Sequence, residues 1–369
     1  MAGKNDRTAT GALRPYEEYP EMFARPRSFL ACLAVLTLLM SASSQSPKTF
    51  VNPLLPSGPD PFITFFGGNY YLTYTTGVDV RIRKARSLAT LGQAPEQVVW
   101  ADFEPERCCH VWAPEFHRLK NLQGQYRWYL YYTAGPSECC AQQRMHVLES
   151  AADDPMGPYS YKARLFDAQN DFWAIDPTVL ENGGKLYVIY SGTPFDLMPG
   201  EKPQNLYIAP LSNPWTLSGP RVEISIPDQP WEIYGAAVNE GPAVVKRNNK
   251  IYLAYSGSGC WTDNYAVGVL VASQSADLLQ PKSWQKMPRP FLTRNDRGQV
   301  FGPGHNSFFK SPDGKEDWIM YHANPGPDLG CKDQRSPRAQ KITWGPDGLP
   351  RVAPPSVGPS PLPSGDSGR

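Results

Sequence analysis

Five segments of the chain follow one plan, and this internal repeat is the strongest constraint on the fold. Each segment has a polar residue beside a proline or a small residue, a short apolar strand, a turn, and a second strand that ends in Tyr or His with small polar residues. The turns carry hairpin signals such as GGN, NGGK, RNNK and SPDGK. The segments are residues 60–76, 113–135, 175–192, 239–259 and 304–324.

The spacing of these segments predicts the architecture. Their leading polar residues stand at positions 60, 115, 176, 240 and 305, so successive repeats begin 55 to 65 residues apart. That length fits one four-stranded blade with generous loops. Further short strands lie between the segments, and no long amphipathic helix is apparent. We therefore predict an all-β fold, a five-bladed β-propeller that spans residues 47–352.

Composition agrees with this fold and excludes some functions. Aromatic residues make up 12% of the chain, and 39 Pro and 31 Gly provide many turns, which suits an all-β fold with aromatic binding surfaces. The 36 basic and 35 acidic residues nearly cancel. This balance leaves no electrostatic footprint for nucleic acid and no basic stripe for a membrane surface. We expect neither partner, and we expect a monomer.

The two ends of the chain are predicted to lie outside the propeller. Residues 25–46 have a basic start, an apolar run from Phe29 to Met40 and a small-residue end, which is typical of a secretory signal. We interpret residues 1–46 as an N-terminal extension with this signal, and we expect a secreted, extracellular protein. Residues 353–369 are rich in Pro, Ser and Gly, so they are predicted to form a disordered tail.

Six cysteines remain outside the signal, and in an exported chain an even number favours disulfides. Four of them form the adjacent pairs in ERCCHV and SECCAQQ, and the other two are Cys260 and Cys331. The sequence does not choose among the possible pairings. Zinc binding is less favoured, because adjacent cysteines rarely point at one metal and no finger-type spacing accompanies them.

Three acidic residues are predicted to meet at one mouth of the central channel. The innermost strand of each blade lines that channel, so equivalent positions of the repeats point toward one axis. Asp60, Asp176 and Glu240 belong to blades one, three and four. Like charges that are brought together move each other's pKa values apart, which is typical of a catalytic centre.

Such a set suits hydrolysis of a glycosidic bond. This reaction needs one protonated acid for the leaving oxygen and one carboxylate that activates water or attacks directly. Glu240, in VNEGPAVV, has the apolar setting that keeps an acid protonated near neutral pH, and Asp176 in AIDP could add a negative charge nearby. Asp60, between two prolines that stiffen the backbone, is the candidate base.

Taken together, the motifs resemble one enzyme family. GPDP, AIDP and VNEGP occur with VWAPEFH, SGCWTDNYAVG, GPGHNSFFKSPDGKEDW and RSPRAQKITWGPDGLP. Over nearly all of residues 47–352 this combination resembles glycoside hydrolase family 43, in particular its α-L-arabinofuranosidase members. The resemblance implies hydrolysis with inversion: Asp60 is the general base, Glu240 is the general acid, and Asp176 tunes the pKa of Glu240 and orients it.

The same resemblance suggests residues around the sugar. It places His305 at the channel, where relatives often hold a calcium or sodium ion through water, and it makes Arg338 a contact to sugar hydroxyls or to the carboxylates. Trp112 and Trp173 are candidate walls of the sugar subsite, since an aromatic face packs on the C–H side of a sugar ring. Glu115 receives no proton-transfer role and is expected to pair with a nearby base or backbone donor. The chemistry itself requires no cofactor.

The expected substrate is a plant cell-wall arabinan, arabinoxylan or arabino-oligosaccharide that loses terminal α-L-arabinofuranosyl residues. Two other functions stay open. A β-xylosidase of the same fold would differ in the loops that shape the pocket. A polysaccharide-binding propeller without activity would be favoured if one of the three acids were missing, and all three are present. A WD-repeat scaffold predicts shorter blades, of about 40–45 residues.

Overall fold

The computed structural model describes residues 48–195 and 203–369. The described part begins with strand β1 (Thr49–Asn52) and continues into five antiparallel sheets in which consecutive strands are neighbours. The first sheet consists of β2 (Phe62–Phe66), β3 (Asn69–Thr73), β4 (Val80–Ala85) and β5 (Glu96–Trp100), with the short helix α1 (Leu88–Leu91) before β5. The second consists of β6 (Cys109–Lys120), β7 (Tyr126–Gly135), β8 (Arg144–Ser150) and β9 (Tyr159–Leu165).

The remaining sheets repeat this order. The third contains β10 (Ala174–Asn182), β11 (Lys185–Gly192), β12 (Asn205–Asn213), β13 (Thr216–Leu217) and, as the one exception to the order, β14 (Val222–Ser225), which pairs with β12 rather than with β13. The fourth contains β15 (Asn239–Arg247), β16 (Lys250–Gly257), β17 (Ala266–Ser273) and β18 (Gln285–Lys286), with 3₁₀ turns at Pro230–Glu232 and Pro281–Ser283. The fifth contains β19 (Phe301–Lys310), β20 (Asp317–Asn324), β21 (Ser336–Trp344) and β22 (Pro350–Arg351).

The five sheets are the blades of a propeller. Their first strands, β2, β6, β10, β15 and β19, contact one another in cyclic order, so β19 returns to β2 and closes the ring. The prediction of an all-β, five-bladed β-propeller is confirmed.

Each blade is buried on both faces, because its side chains alternate between two neighbours. In β11, Val188 and Tyr190 pack into the apolar cluster shared with blade two. Tyr187 and Ile189 of the same strand pack into the cluster shared with blade four. A strand in this position reads as a continuous apolar run, as KLYVIYSG does.

The entrance to each inner strand has the same backbone conformation. One residue there has a positive φ, between 45° and 56°, and in blades two to five the strand pairing shifts register nearby. These equivalent residues are Asp60, Ala113, Asp176, Gly241 and His305. The equivalence corrects the repeat alignment drawn from sequence: Glu115 lies two residues after Ala113, and Glu240 lies one residue before Gly241.

The backbone N–H of each equivalent residue donates to a side chain of the preceding blade. The distances lie between 2.7 and 3.0 Å. Four acceptors come from the end of a second strand, and the fifth, for Gly241, is the carboxylate of Asp176. The acceptors are His322 for Asp60, Thr75 for Ala113, Thr133 for Asp176, Asp176 for Gly241 and Ser256 for His305. A ring of buried hydrogen bonds therefore fixes the register of neighbouring blades around the channel.

The C-terminal residues pack on the propeller rather than forming the predicted disordered tail. Strand β23 (Gly358–Pro361) pairs antiparallel with β1. Beyond it, the N–H of Ser364 donates to Glu316, and a carboxylate oxygen of Asp366 accepts the N–H of Leu88 in α1. Composition misled the prediction because proline is compatible with a two-stranded edge pairing, where few ladder hydrogen bonds are needed.

The N-terminal extension and the predicted secretory signal, residues 1–46, lie outside the described residues. Within residues 48–195 and 203–369 no helix has the length and apolar character needed to cross a membrane.

All six cysteines outside the predicted signal are paired, as expected. The pairs are Cys108–Cys109, Cys139–Cys140 and Cys260–Cys331. In the described part of the chain, only His110, Cys139 and Cys140 group as a metal-ligand cluster would. Both of those sulfurs are bonded to each other, so they offer no thiolate, and the zinc alternative loses its support.

Candidate active site

The three predicted acids lie at one end of the channel, where the inner strands begin. Asp60 precedes β2, Asp176 lies near the start of β10 and Glu240 near the start of β15. Asp60 and Asp176 are 8% and 7% exposed, and Glu240 is partly buried. The charges of Asp60 and Glu240 both act on Asp176, so the structure brings the three carboxyl groups together around the channel mouth.

Asp60 is held as a carboxylate by positive neighbours. Its Oδ1 accepts from Nη1 of Arg335 at 2.8 Å and lies 3.3 Å from Nδ1 of His305, while its Oδ2 accepts from the hydroxyl of Thr75 at 2.7 Å. Burial opposes the charged form, but Arg335 and His305 outweigh it and hold the pKa of Asp60 well below its usual range. Asp60 is therefore ready to accept a proton across the whole neutral range.

His322 supports Asp60 without carrying charge. Its Nδ1 accepts the backbone N–H of Asp60 at 3.0 Å, so the ring proton belongs on Nε2. Burial lowers the pKa of His322 to about 4. The imidazole therefore fixes the backbone at Asp60. Its Nδ1 also lies 3.2 Å from Oδ1 of the carboxylate and contributes, after Arg335 and His305, to the low pKa of Asp60.

Asp176 has the opposite electrostatic environment. Burial is the main cause that raises its pKa to about 7, and the negative charges of Glu240 and Asp60 add to it. The charge of His305 and the backbone N–H of Gly241, which donates to Oδ2 at 3.0 Å, act against this rise without cancelling it. Asp176 therefore favours its protonated form much more than an exposed aspartate does, and it accepts the N–H of the residue that follows Glu240.

Glu240 is oriented by a buried tyrosine. The hydroxyl of Tyr265 donates to Oε1 of Glu240 at 2.8 Å. Burial, reinforced by the charge of Glu240, holds the pKa of Tyr265 well above its usual range, so this hydroxyl remains a donor. The tyrosine ring stacks on His322 at 5.8 Å between ring centroids. Tyr265, which contacts Glu240, thus stacks on His322, which contacts Asp60, and the two rings connect the surroundings of these acids.

His305 is surrounded by acids. Burial favours its neutral form, but the charges of Asp60, Asp176, Glu240 and Glu115 outweigh burial and raise the pKa of His305. Its place depends on a glycine, because a Cβ on Gly241 would lie 3.1 Å from the imidazole ring. The positive φ of Gly241, 56°, is a second reason for glycine at that position.

Glu115 behaves as expected from the sequence. Its Oε2 lies 2.8 Å from Nε2 of His117, and its side chain is almost fully buried. The prediction that it pairs with a nearby base is confirmed.

The arginine at the carboxylates is Arg335 rather than Arg338, so that part of the prediction is wrong, while a contact of Arg338 to sugar hydroxyls stays a prediction. Arg338 lies inside β21, is completely buried, and donates through Nη2 to the hydroxyl of Ser336 at 3.3 Å. Arg335 precedes that strand and reaches Asp60 from the loop. Both arginines belong to the motif RSPR, so the sequence contained the signal but not the strand boundary that separates their positions.

Of the two predicted aromatic walls, Trp173 contacts the loop that contains Cys139 and Cys140, and Trp112 contacts His110. Trp112 is partly buried, and its ring meets His110 edge to face at 6.1 Å. Trp173, three residues before Asp176, donates from Nε1 to the carbonyl oxygen of Cys140 at 2.9 Å. Their contact with a sugar stays a prediction.

Residues 50–350 match the family model described as Glycosyl hydrolases family 43. The chain belongs to this family. This family-43 hydrolase is 37% identical, over 87% of its length and 67% of the relative's, to a protein of Streptomyces avermitilis named extracellular exo-alpha-(1->5)-L-arabinofuranosidase. A protein of the same name from Streptomyces chartreusis is 35% identical over 79% of this chain and 88% of its own.

Solved structures agree on the fold of this family-43 hydrolase. An alpha-L-arabinofuranosidase from Lactobacillus brevis superposes with a TM-score of 0.75 at 33% identity, covering 83% of this chain and 97% of its own. The recognition of family 43 from the sequence motifs is confirmed, and the protein is a glycosidase.

Proposed function

We propose that this glycosidase releases terminal α-L-arabinofuranosyl residues from arabinan or arabinoxylan by single-step inverting hydrolysis. The observation that carries the proposal is the unequal environment of the acids. Asp60 is held ionised by Arg335, whereas Asp176, beside Glu240, has its pKa raised to about 7. An ionised Asp60 suits the general base, and the crowding of Asp176 and Glu240 favours retention of a proton by that pair, which the proposed acid role of Glu240 needs. The names of the relatives from both Streptomyces species favour arabinofuranose as the sugar.

In the proposed reaction Asp60 takes a proton from a water molecule as that water attacks the anomeric carbon. Glu240 gives its proton to the glycosidic oxygen as the bond breaks, so the leaving sugar departs as a neutral alcohol. Both transfers occur in one displacement, and the anomeric configuration inverts. After product release Asp60 gives its proton to solvent, and Glu240 takes up a proton from solvent.

Asp176 acts on Glu240 indirectly, through the backbone next to it. Its Oδ2 binds the N–H of Gly241, so it fixes the backbone from which the Glu240 side chain projects. Tyr265 fixes the carboxyl group itself through Oε1. The carboxyl groups of Asp176 and Glu240 resist joint ionisation, because a negative charge on one disfavours a negative charge on the other. The proposed acid role requires that the proton of this pair be on Glu240 when the substrate is bound.

A calcium or sodium ion near His305 belongs to this proposal. The donor atoms of the acids and His305 do not form a direct three-ligand group in the described part of the chain. We infer a hydrated cation that one imidazole nitrogen of His305 would hold within the field of the four carboxylates that act on it, Asp60, Asp176, Glu240 and Glu115. Since these carboxylates also raise the pKa of His305, a proton and a cation would compete for the ring.

We propose in addition that the protein is secreted. The apolar run Phe29 to Met40 follows basic residues. Three disulfides suit an oxidising compartment. The two Streptomyces relatives carry the word extracellular in their names.

The function is tested with aryl α-L-arabinofuranosides and aryl β-D-xylopyranosides, with product anomers followed by proton NMR. We expect turnover of the arabinofuranosides and first appearance of the β-anomer of arabinose. Faster turnover of the xylosides would establish the β-xylosidase alternative, and first appearance of the α-anomer would refute inversion. Absence of turnover with retained binding of arabinan would favour the polysaccharide-binding alternative.

The acid role of Glu240 is tested by Glu240→Gln. Activity on natural arabino-oligosaccharides should fall by about 10²–10⁴-fold, the usual contribution of general acid catalysis. Substrates with a good phenolate leaving group need less protonation and should retain much more activity. Equal losses on both kinds of substrate would remove Glu240 from this role.

A further inference from the structure

Exposed aromatic side chains concentrate at the end of the propeller that carries the acids. Five of the six exposed Phe, Tyr and Trp side chains in the described part lie in loops that precede an inner strand or join the second and third strands of a blade. Because consecutive strands are antiparallel, both kinds of loop lie at the channel mouth with the acids. The five are Phe103, Phe166, Phe195, Tyr234 and Trp261; the sixth, Tyr126, follows a turn at the other end.

Trp261 in blade four is held in one orientation. A Cβ on Gly259 would lie 2.6 Å from its ring, and a Cβ on Gly235 would lie 2.8 Å from its Nε1. Two glycines thus bring backbone directly against the indole. The side chain is still 47% exposed, so the indole rests on backbone with much of its surface open to solvent.

The frame beneath Trp261 is tied together by hydrogen bonds and a buried ion pair. The N–H of Gly259 donates to the carbonyl of Tyr234 at 2.9 Å, and the N–H of Tyr234 donates to the hydroxyl of Ser258 at 3.0 Å. Below them, completely buried Glu232 pairs with Lys286 at 2.9 Å. Exposed apolar side chains on a preorganised frame are typical of a binding site, because little entropy is lost when a ligand docks.

The frame is continuous with the proposed acid. Glu240 pairs with Ser256 in the ladder of β15 and β16, and Trp261 lies just beyond the end of β16. Tyr234 lies on the segment that leads into β15. Asp60 lies in blade one, which is not a neighbour of blade four in the ring. In an inverting reaction the attacking water and the leaving group occupy opposite sides of the sugar, so in the proposed reaction the leaving group lies on the side of Glu240, toward blade four.

We propose that Trp261, with Tyr234 beside it, forms a subsite for the sugar on the leaving-group side of the cleaved bond. Its occupant is the next sugar of an arabino-oligosaccharide or polymer, whose apolar C–H face packs on the indole while its hydroxyls stay in water. This subsite rests on the proposed function. It makes the enzyme favour chains over isolated glycosides.

The test compares Trp261→Ala with wild type on an aryl α-L-arabinofuranoside and on an α-(1→5)-linked arabinotriose. We expect kcat/KM on the trisaccharide to fall about tenfold, mainly through KM, while the aryl glycoside changes by less than about twofold. Gly259→Ala should resemble Trp261→Ala, because the added methyl group displaces the indole. Phe103→Ala, which removes an 88% exposed aromatic at the same end, is the matched control and should leave both substrates unaffected.

Equal losses on both substrates, or a loss with Phe103→Ala as large as with Trp261→Ala, would overturn the subsite. Binding of arabinotriose to Glu240→Gln, with and without Trp261→Ala, measures the subsite apart from turnover. Weaker binding without Trp261 in a protein that hydrolyses no arabinofuranoside would support the subsite and refute the proposed function. Unchanged binding in an active enzyme would refute the subsite alone. Thermal unfolding of each variant verifies that it folds.

Discussion

The contact between Arg335 and Asp60 predicts a specific change in pH dependence. The two side chains are each about one-tenth exposed, and Nη1 lies 2.8 Å from Oδ1. Replacement of Arg335 by Met removes the strongest group that favours the carboxylate, while the burial that favours the neutral acid remains. The pKa of Asp60 should therefore rise.

The size of the change follows from Coulomb's law. With charge centres about 4 Å apart and an effective dielectric constant of about 20, the interaction is worth about 4 kcal/mol, which corresponds to roughly three pH units. His305, 3.3 Å from the same oxygen, remains in the variant and reduces the effect. We expect the acid limb of the kcat/KM profile to move upward by about one to three pH units.

Protonation of Asp60 at low pH lowers both the activity and the stability of the protein. Asp60 works as a base only when ionised, so activity falls as pH decreases through its pKa. Because folding depresses that pKa, the carboxylate stabilises the native state above its unfolded pKa, and this contribution is lost as pH falls through the folded value. Arg335→Met should therefore cost most stability near neutral pH and least in acid, where Asp60 is protonated.

The assay is kcat/KM of an aryl arabinofuranoside between pH 3 and 9 for wild type, Arg335→Met and Arg335→Lys. The lysine variant keeps the charge and should keep its acid limb within about one pH unit of wild type. A uniform fall in kcat/KM with no movement of the acid limb in Arg335→Met would refute the reasoning. Arg335 would then act on the sugar or on the fold rather than on the charge of Asp60.

Two further perturbations test the frame of the site. Removal of divalent cations by chelation, in sodium-free buffer, should lower activity or melting temperature if a cation lies near His305. Re-addition of calcium or sodium should identify the ion, and no response to either treatment would exclude it. Cys260→Ser with Cys331→Ser should lower the free energy of unfolding by up to about 4 kcal/mol, because the disulfide closes a loop with a sequence separation of 71. An unchanged denaturation midpoint would mean that the unfolded chain gains little freedom.

The fold was predictable because its signals are local. Each blade is indicated in the sequence by a hairpin turn between apolar strands, such as GGN in blade one and NGGK in blade three. Asp60 and Asp176 could also be predicted from the sequence, since each precedes a proline at the repeat position. Blades two and four carry the same signal in Ala113-Pro114 and Gly241-Pro242. Alignment on acidic residues concealed it, because the shared property is a positive φ rather than a charge.

The partners of the acids were not predictable. Tyr265 and His322, which stack between Glu240 and Asp60, belong to different blades and carry no local signal. Arg335 precedes β21 and Arg338 lies inside it, so their different environments follow from where β21 begins. That boundary is set by pairing with β20. Exposure of Trp261 likewise depends on how its loop packs against Gly235.

The sequence by itself determined five antiparallel blades, the family and the three acids, because repeat period, turn chemistry and strand pattern are properties of neighbouring residues. The tertiary structure alone decided which acid is ionised. Closing the ring places Arg335 of blade five against Asp60 of blade one and buries Asp176 near two other carboxylates. A pKa depends on charges and burial within a few ångströms in space, and those neighbours lie far away along the chain, as Arg335 does from Asp60 at a separation of 275.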